Sequence, residues 1–174
     1  VLVATFVLAF CSIVYELLLG QALSAFLGNT VLRYSVTIGL YMFSMGIGAL
    51  LAGKRLLEQP LMTLQVVEIS LTLLGTLSLP LLLAIDVGVG SMATLAVVAH
   101  LLIVLIGVLT GLEIPLLIEI IDGGDESPGQ VLGIDYVGAF AGTVAFALWF
   151  YPWIGVVATA FIVALLNAIT GLCL

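Results

Sequence analysis

"LAVVAHLLIVLIGVL" (95–109) runs fifteen residues with a single titratable side chain, His100. A barrel strand that crosses a membrane alternates apolar and polar residues over about ten positions. This run does not alternate, so it reads as a helix with apolar residues on every face. Upstream it reaches Met92, and downstream it meets "TGLEIPLLIEI" (110–120), where Glu113 and Pro115 interrupt the oil. Working outward, 64% of the 174 residues are hydrophobic and 7% charged. The mean hydropathy is +1.43, well outside the usual range of soluble domains.

A bilayer core about 30 Å thick needs about 20 apolar residues per helix. Six segments satisfy this: 1–27, 33–53, 61–85, 92–112 with an extension to 121, 129–150 and 152–174. The expected fold is therefore all-α, a polytopic membrane bundle of about six helices forming one domain over 1–174, with the lipid bilayer as its first partner.

The chain opens on Val1, already apolar and with no initiator Met, which suggests that a longer chain precedes it; the same holds beyond Leu174. A signal peptide is excluded by the missing basic region and by an apolar run of more than twenty residues. Cys11 and Cys173 lie in apolar segments, where packing rather than a disulfide or redox role is expected. Three basic against ten acidic residues give a net charge of −7, which argues against nucleic acid and against anionic headgroups as partners.

Lys54 and Arg55 follow the second span, so the loop "GKRLLEQP" (53–60) should be cytoplasmic, and counting spans puts both termini on that side. Arg33 falls opposite. The loop "DGGDESPG" (122–129) is a turn-rich cytoplasmic connection, since acids count little in the orientation rule. With no strand before it and the wrong spacing, it is not a nucleotide-binding glycine loop.

Glu16 in "YELLLGQALSAFLGNT" aligns with Glu113 in "LEIPLLIEIIDGGDES": each precedes a polar loop by about fourteen residues, and a Gly/Ala-rich helix follows each. With one gap Gly46 falls on Gly142. Halves 1–87 and 88–174 would hold three spans each, and an odd number makes them inverted repeats, the plan that puts binding sites near the midplane.

Two readings of Glu113 stand. Either it marks the cytoplasmic end of the fourth span and "IPLLIEII" (114–121) is interfacial, or the helix runs on to 121 and Glu113 lies inside the membrane. Pro115, lacking an N–H, should kink or end the helix nearby, with Gly111 easing the break. Glu16, by contrast, has apolar sequence on both sides. Ser12, Glu16, Gly20 and Ser24 recur every four residues, a small and polar stripe that turns toward other helices. Gln65, Glu68 and Thr72 repeat the device in the third span. Asp135 shares a face with Gly138, Gly142 and Ala145, and Ser35, Gly39, Gly46 and Gly53 form the packing face expected of the second span.

Glu16, Glu68, Glu113 and Asp135 are thus four acids in spans, whereas Arg33, Lys54 and Arg55 sit at span ends. A carboxylate at bilayer depth costs about 2.5 to 3.5 kcal/mol on the lenient insertion scale. With no internal cation to offset this, either the acids are protonated or a proton, metal ion or organic amine joins them. His100 could relay protons or serve as a structural histidine. One histidine with scattered carboxylates is a poor transition-metal signature, and neither a metal nor any other cofactor is expected in this chain. No Ser/His/Asp set or HExxH pattern points to catalysis.

"FVLAFCSIVYELLLGQALSAFLGNTVLRYSVTIGLYMFSMGIGALLAGKRL" (6–56), "GLEIPLL" (111–117) and "GIDYVGAFAG" (133–142) resemble the N-terminal multi-span membrane domain of bacterial spermidine synthase-like proteins. The resemblance covers nearly the whole chain. It implies a bacterial cytoplasmic (inner) membrane protein whose spans precede a cytoplasmic aminopropyltransferase domain acting on decarboxylated S-adenosylmethionine and a diamine. That catalytic part is absent here: no strand-turn-helix glycine loop and no soluble stretch of adequate length is found. A cytoplasmic C-terminus would suit its attachment after Leu174.

The expectation is a membrane module that binds or passes polyamine, with Glu16, Glu113, Asp135 and Glu68 facing its ammonium groups and a cytoplasmic aminopropyltransferase domain as partner. A proton- or cation-coupled transporter of another small molecule is the alternative. A passive anchor, assembled into a homo-oligomer through glycine faces, is the third.

Overall fold

The computed structural model describes residues 1–88, 90–121, 124 and 126–174. Among these residues the elements are all helical: α1 (Leu2–Leu27), α2 (Thr30–Leu51), α3 (Lys54–Leu57), α4 (Pro60–Gly88), α5 (Met92–Ile120), α6 (Pro128–Ala145), which continues as π-helical turns over Phe146–Ile154, and α7 (Val156–Cys173). Six of the resulting helices are long and apolar enough to cross a membrane.

Local chemistry sets the ends. Gly28 (φ 67°) and Asn29 (φ 52°) take left-handed conformations to turn α1 into α2, and the Asn29 side chain accepts the Leu32 N–H at 3.3 Å. Ser91 caps α5 by accepting the Thr94 N–H. At α6 a capping box closes both ways: Ser127 Oγ accepts from Gln130 N at 3.3 Å and Gln130 Oε1 accepts from Ser127 N at 2.7 Å, with Pro128 in the first turn. Helix α6 therefore starts inside the acidic loop at 122–129, of which Asp122, Gly123 and Asp125 lie outside the described residues.

Three boundaries differ from expectation. Lys54–Leu57 forms a short helix where the sequence reads as a plain loop. The break between the last two spans falls at Gly155 (φ 81°), not at residue 151 beside Pro152. Wider π turns carry the chain past the proline, and the Gly155 N–H closes the last of them on the Phe150 carbonyl at 2.9 Å. The third is at Gly111 and Pro115, where an end of the fourth span near Glu113 is one reading and a helix that runs on to 121 the other. Helix α5 runs through both to Ile120, so Glu113 lies well within it. Pro115 removes only the one hydrogen bond that the Gly111 carbonyl would have accepted. Gly111 has a different reason to be glycine: a Cβ there would run into the Met45 backbone of α2.

Two helix pairings recur in the two halves, whereas α1 packs on α2 far more extensively than α5 on α6. Helix α2 lies along α5 as α6 lies along α1, and α4 contacts α5 as α7 contacts α1. Both close pairs are parallel. Gly107 and Gly111 approach Tyr41/Ser44 and Met45 in that order, and Gly138 and Gly142 approach Phe6 and Phe10. Helix α1 runs against α2, since Ser12 meets Tyr41 while Gly20 meets Tyr34. It follows that α1 and α5, the two glutamate helices, are antiparallel.

The packing face of α2 is not the one expected. Thr37, Tyr41, Ser44 and Gly48 are its buried residues, spaced 4-3-4 along one stripe. Ser35, Gly39 and Gly46 fall off that stripe and are exposed, and a Cβ at Gly39 or Gly46 would touch nothing within 4 Å. The expected face counted glycines, and it is the heptad-like stripe that meets α5.

Candidate functional site

Helices α1, α2, α5 and α6 line a partly open cavity of about 70 Å³. Three of the four acids read from the sequence line it: Glu16 from α1, Glu113 from α5 and Asp135 from α6. Glu16 is 6% exposed and Glu113 3%, while Asp135 is half-buried. None of the three basic residues of the chain is in the lining. Glu113 has Glu68 and Asp135 as acidic neighbours, and its Oε1 is buried without a hydrogen-bond partner among the described residues. An unpaired buried polar atom costs about 1 to 3 kcal/mol, more when charged. Glu113 thus lines the cavity while one of its oxygens, Oε1, is packed away from any accessible space.

A cluster of hydroxyls occupies the middle. The Tyr41 hydroxyl, 1% exposed, donates to the Ser12 carbonyl at 3.2 Å and sits 3.1 Å from Ser12 Oγ and 3.0 Å from Thr110 Oγ1. It ties α1, α2 and α5 together at one level. Since α1 and α5 are antiparallel, Glu16, four residues beyond Ser12, and Glu113, three beyond Thr110, diverge from that level in opposite directions. Seven residues at 1.5 Å each set the two glutamate Cα atoms about 10 Å apart along the helix axes, and both side chains lean back toward the hydroxyl level.

The lining carries the exchange of halves into chemistry. Tyr41 and Asp135 each stand seven residues before the buried glycine of their helix, Gly48 and Gly142, and Met45 and Ala139 each stand three before; all four line the cavity. The four residues thus hold corresponding positions on α2 and α6.

Glu68 is elsewhere. It is wholly buried between α4 and α7, where its Oε2 accepts from Asn167 Nδ2 at 2.8 Å and its carbonyl accepts from the same nitrogen at 3.1 Å. Gly171 of α7 packs on its stem. His100 is also apart from the cavity. It lies thirteen residues from Glu113, about 20 Å along α5, and its Nδ1 bonds the Ala96 carbonyl of its own helix at 2.6 Å. It joins no chain of groups leading to the acids. Gly138 and Gly142 pack α6 onto α1. Cys11 and Cys173 are free, and Cys11 Sγ faces the Val163 carbonyl at 3.7 Å. No group of three His, Cys, Asp or Glu side chains suited to a metal occurs among the described residues.

Reading the sequence alone misses Tyr41, Thr110 and Asn167. Thr110 is legible as the residue one turn before Glu113, and Asn167 as the sole amide of the last span. Nothing in the sequence distinguishes Tyr41 from its neighbour Tyr34.

Curated relatives share this helical region. The chain is 36% identical over 168 residues, 95% of its length, to a polyamine aminopropyltransferase of Leptospira interrogans. It is 35% identical over 175 residues, 98% of its length, to polyamine aminopropyltransferase 1 of Streptomyces coelicolor. A relative of the same name from Oceanobacillus iheyensis is 34% identical over 170 residues. The match takes up 33%, 32% and 33% of these relatives, so the chain spans about a third of their length. No family model and no solved structure matches it. The resemblance read from the motifs holds: the chain is homologous to one portion of these longer proteins.

Proposed function

We propose that this chain, homologous throughout its length to one third of proteins named polyamine aminopropyltransferase, is a membrane domain that binds or passes polyamine and anchors a cytoplasmic aminopropyltransferase domain. One observation carries the reading: three acids and a hydroxyl cluster line a partly open cavity with no basic residue in its wall, and Glu113 Oε1 lacks a partner among the described residues. A polyamine supplies ammonium groups for the carboxylates and methylenes for the apolar remainder, here Ile13 and Met45. Inner-membrane location with both termini cytoplasmic fits Lys54 and Arg55 at the end of α2 and α3, and is part of the proposal.

The purified chain in detergent should be stabilised against thermal unfolding by spermidine beyond the effect of sodium chloride at equal ionic strength. Glu16→Gln and Glu113→Gln should each remove most of that shift. Wild-type protein without any shift, or variants that keep it in full, would overturn the reading.

A second reading, cation-coupled transport of another small molecule, is favoured by the pairing of α2/α5 with α1/α6, as in transporters built from inverted repeats. Reconstituted vesicles distinguish the two. Flux of a substrate other than an amine, driven by a proton or sodium gradient, supports transport, and flux of labelled spermidine alone supports the first reading.

A further inference from the structure

A carboxyl buried in an apolar bundle needs a hydrogen-bond donor, and the wall around Glu16 offers none. Its side chain is 6% exposed and lines the cavity between α1, α2, α5 and α6. Neither of its oxygens has a hydrogen-bond partner among the described residues, and neither is sealed in as the Oε1 atoms of Glu68 and Glu113 are. The nearby hydroxyl protons are all engaged. Tyr41 directs its one proton to the Ser12 carbonyl, so the Ser12 and Thr110 hydroxyls must donate to the Tyr41 oxygen. The titratable groups that share the lining with Glu16 are Tyr41 from α2, Glu113 from α5 and Asp135 from α6. No residue of α4 or α7 lines the cavity, and neither Arg33, Lys54 nor Arg55 does. The polar groups facing this space therefore accept, and the donor comes from outside the chain.

Size and coordination choose that donor. The volume of about 70 Å³ holds several water molecules, since one water takes about 10 to 15 Å³ of such space. A hard metal ion gathers about six or more oxygens, and no three acid, histidine or cysteine side chains converge for one among the described residues. A proton needs a single oxygen, and water carries it. An ionised carboxylate among acceptors meets nothing that offsets its burial, whereas the protonated form supplies the donor that the wall lacks.

We propose that Glu16 is a proton-binding site loaded from water in this cavity, so that the chain takes up and releases a proton inside the membrane. A hydronium at the opening passes its excess proton along the waters to a Glu16 oxygen and leaves water behind; release runs the same steps in reverse. The site stands without the polyamine reading, and under cation-coupled transport it names the proton as the coupling ion.

Infrared titration of the purified chain in detergent tests this. Carboxyls in water are ionised at neutral pH, so a carboxylic-acid carbonyl stretch that remains there reports buried acids. Glu16→Gln should remove one component of that band. In the wild type this component should shift on first contact with D2O, fall about tenfold per pH unit above its midpoint and return on acidification. A component that neither exchanges nor titrates while the chain stays folded makes Glu16 a structural acid and overturns the proposal. So does a midpoint that moves when sodium replaces potassium at equal ionic strength, which assigns the site to a metal ion. Where Glu16→Gln fails to fold, Glu16→Asp serves: it keeps the acid on a shorter stem and should displace the same component in frequency, and a spectrum identical to wild type overturns the assignment. No amine enters these measurements, so their outcome is independent of the polyamine reading.

Discussion

The pair α2/α5 and the pair α1/α6 share one geometry and carry different side chains. In α2/α5 both helices thin out at the crossing: Gly48 faces the Val108 carbonyl while Gly107 and Gly111 face Ser44 and Met45. In α1/α6 only α6 does so, with Gly138 and Gly142 against Phe6, Ala9, Phe10 and Ile13. At the position seven residues before the glycine, α2 offers a hydroxyl, Tyr41, and α6 a carboxyl, Asp135. The shared geometry sets Tyr41 and Asp135 at corresponding positions in the cavity lining, and the difference in side chains puts a hydroxyl at one and an acid at the other. In this fold, then, approximate symmetry sets position, and departures from it set the charge.

The comparison is broken most severely where backbone meets backbone. Gly48→Leu should cost about 3 kcal/mol or more, because a Cβ at this position collides with a carbonyl that no rotamer change can move. Gly142→Leu should cost less, about 1 to 3 kcal/mol, since the nearest atom is a methyl of Ile13, although the Phe10 carbonyl at 2.7 Å limits the relief. Unfolding of the purified variants along a gradient of denaturing detergent measures both. Equal losses would mean that the crossings are energetically alike and that the asymmetry is only chemical.

Outside the cavity, Asn167→Ala should destabilise by about 1 to 3 kcal/mol, because Glu68, whose Oε1 is already partnerless, would lose its only side-chain donor. The same titration checks it, and spermidine stabilisation should be unaffected. A loss of that stabilisation would join Glu68 to the site. A smaller effect is expected from Tyr41→Phe. It removes a hydroxyl shared by Ser12 and Thr110 while keeping the ring, for about 1 kcal/mol. If Thr110→Val added fully to it, the two groups would not be acting as one cluster.

The spans are legible in the sequence because their signal is bulk hydropathy, which survives an error of several residues. Glu16, Glu113 and Asp135 are legible for a related reason: a carboxyl inside an apolar run has few cheap places to go other than inward. Faces and breaks are harder. Small residues at Gly39 and Gly46 look like a contact stripe, yet which side of α2 meets α5 depends on where α5 lies, and no local pattern encodes that. Pro115 looks like a break, but tertiary packing around Gly111 holds α5 together for the loss of one hydrogen bond. Residue type alone groups His100 and Glu68 with the other acids. Distance along α5 separates the histidine, whereas Glu68 stays a neighbour of Glu113 with its Oε2 bonded to Asn167.

The mildest test concerns the face that α2 leaves uncovered. Gly39 and Gly46 lie among exposed Val36, Phe43 and Leu50, and a Cβ at either would meet nothing in the chain. Within a single copy Gly46→Leu should not destabilise, since it enters empty space and removes a helix-interior glycine, a gain of at most about 1 kcal/mol. The contrast with Gly48, two residues away and on the opposite side of the helix, is therefore the sharpest measure of how one-sided the α2 packing is. Homo-oligomers assembled through glycine faces cannot use Gly142, which α1 already covers, so this outer face is where they would form. Light scattering of detergent-purified protein separates the cases. A Gly46→Leu chain with wild-type mass and stability leaves the α2 outer face to lipid, whereas a drop in mass at unchanged thermal stability assigns that face to a second copy.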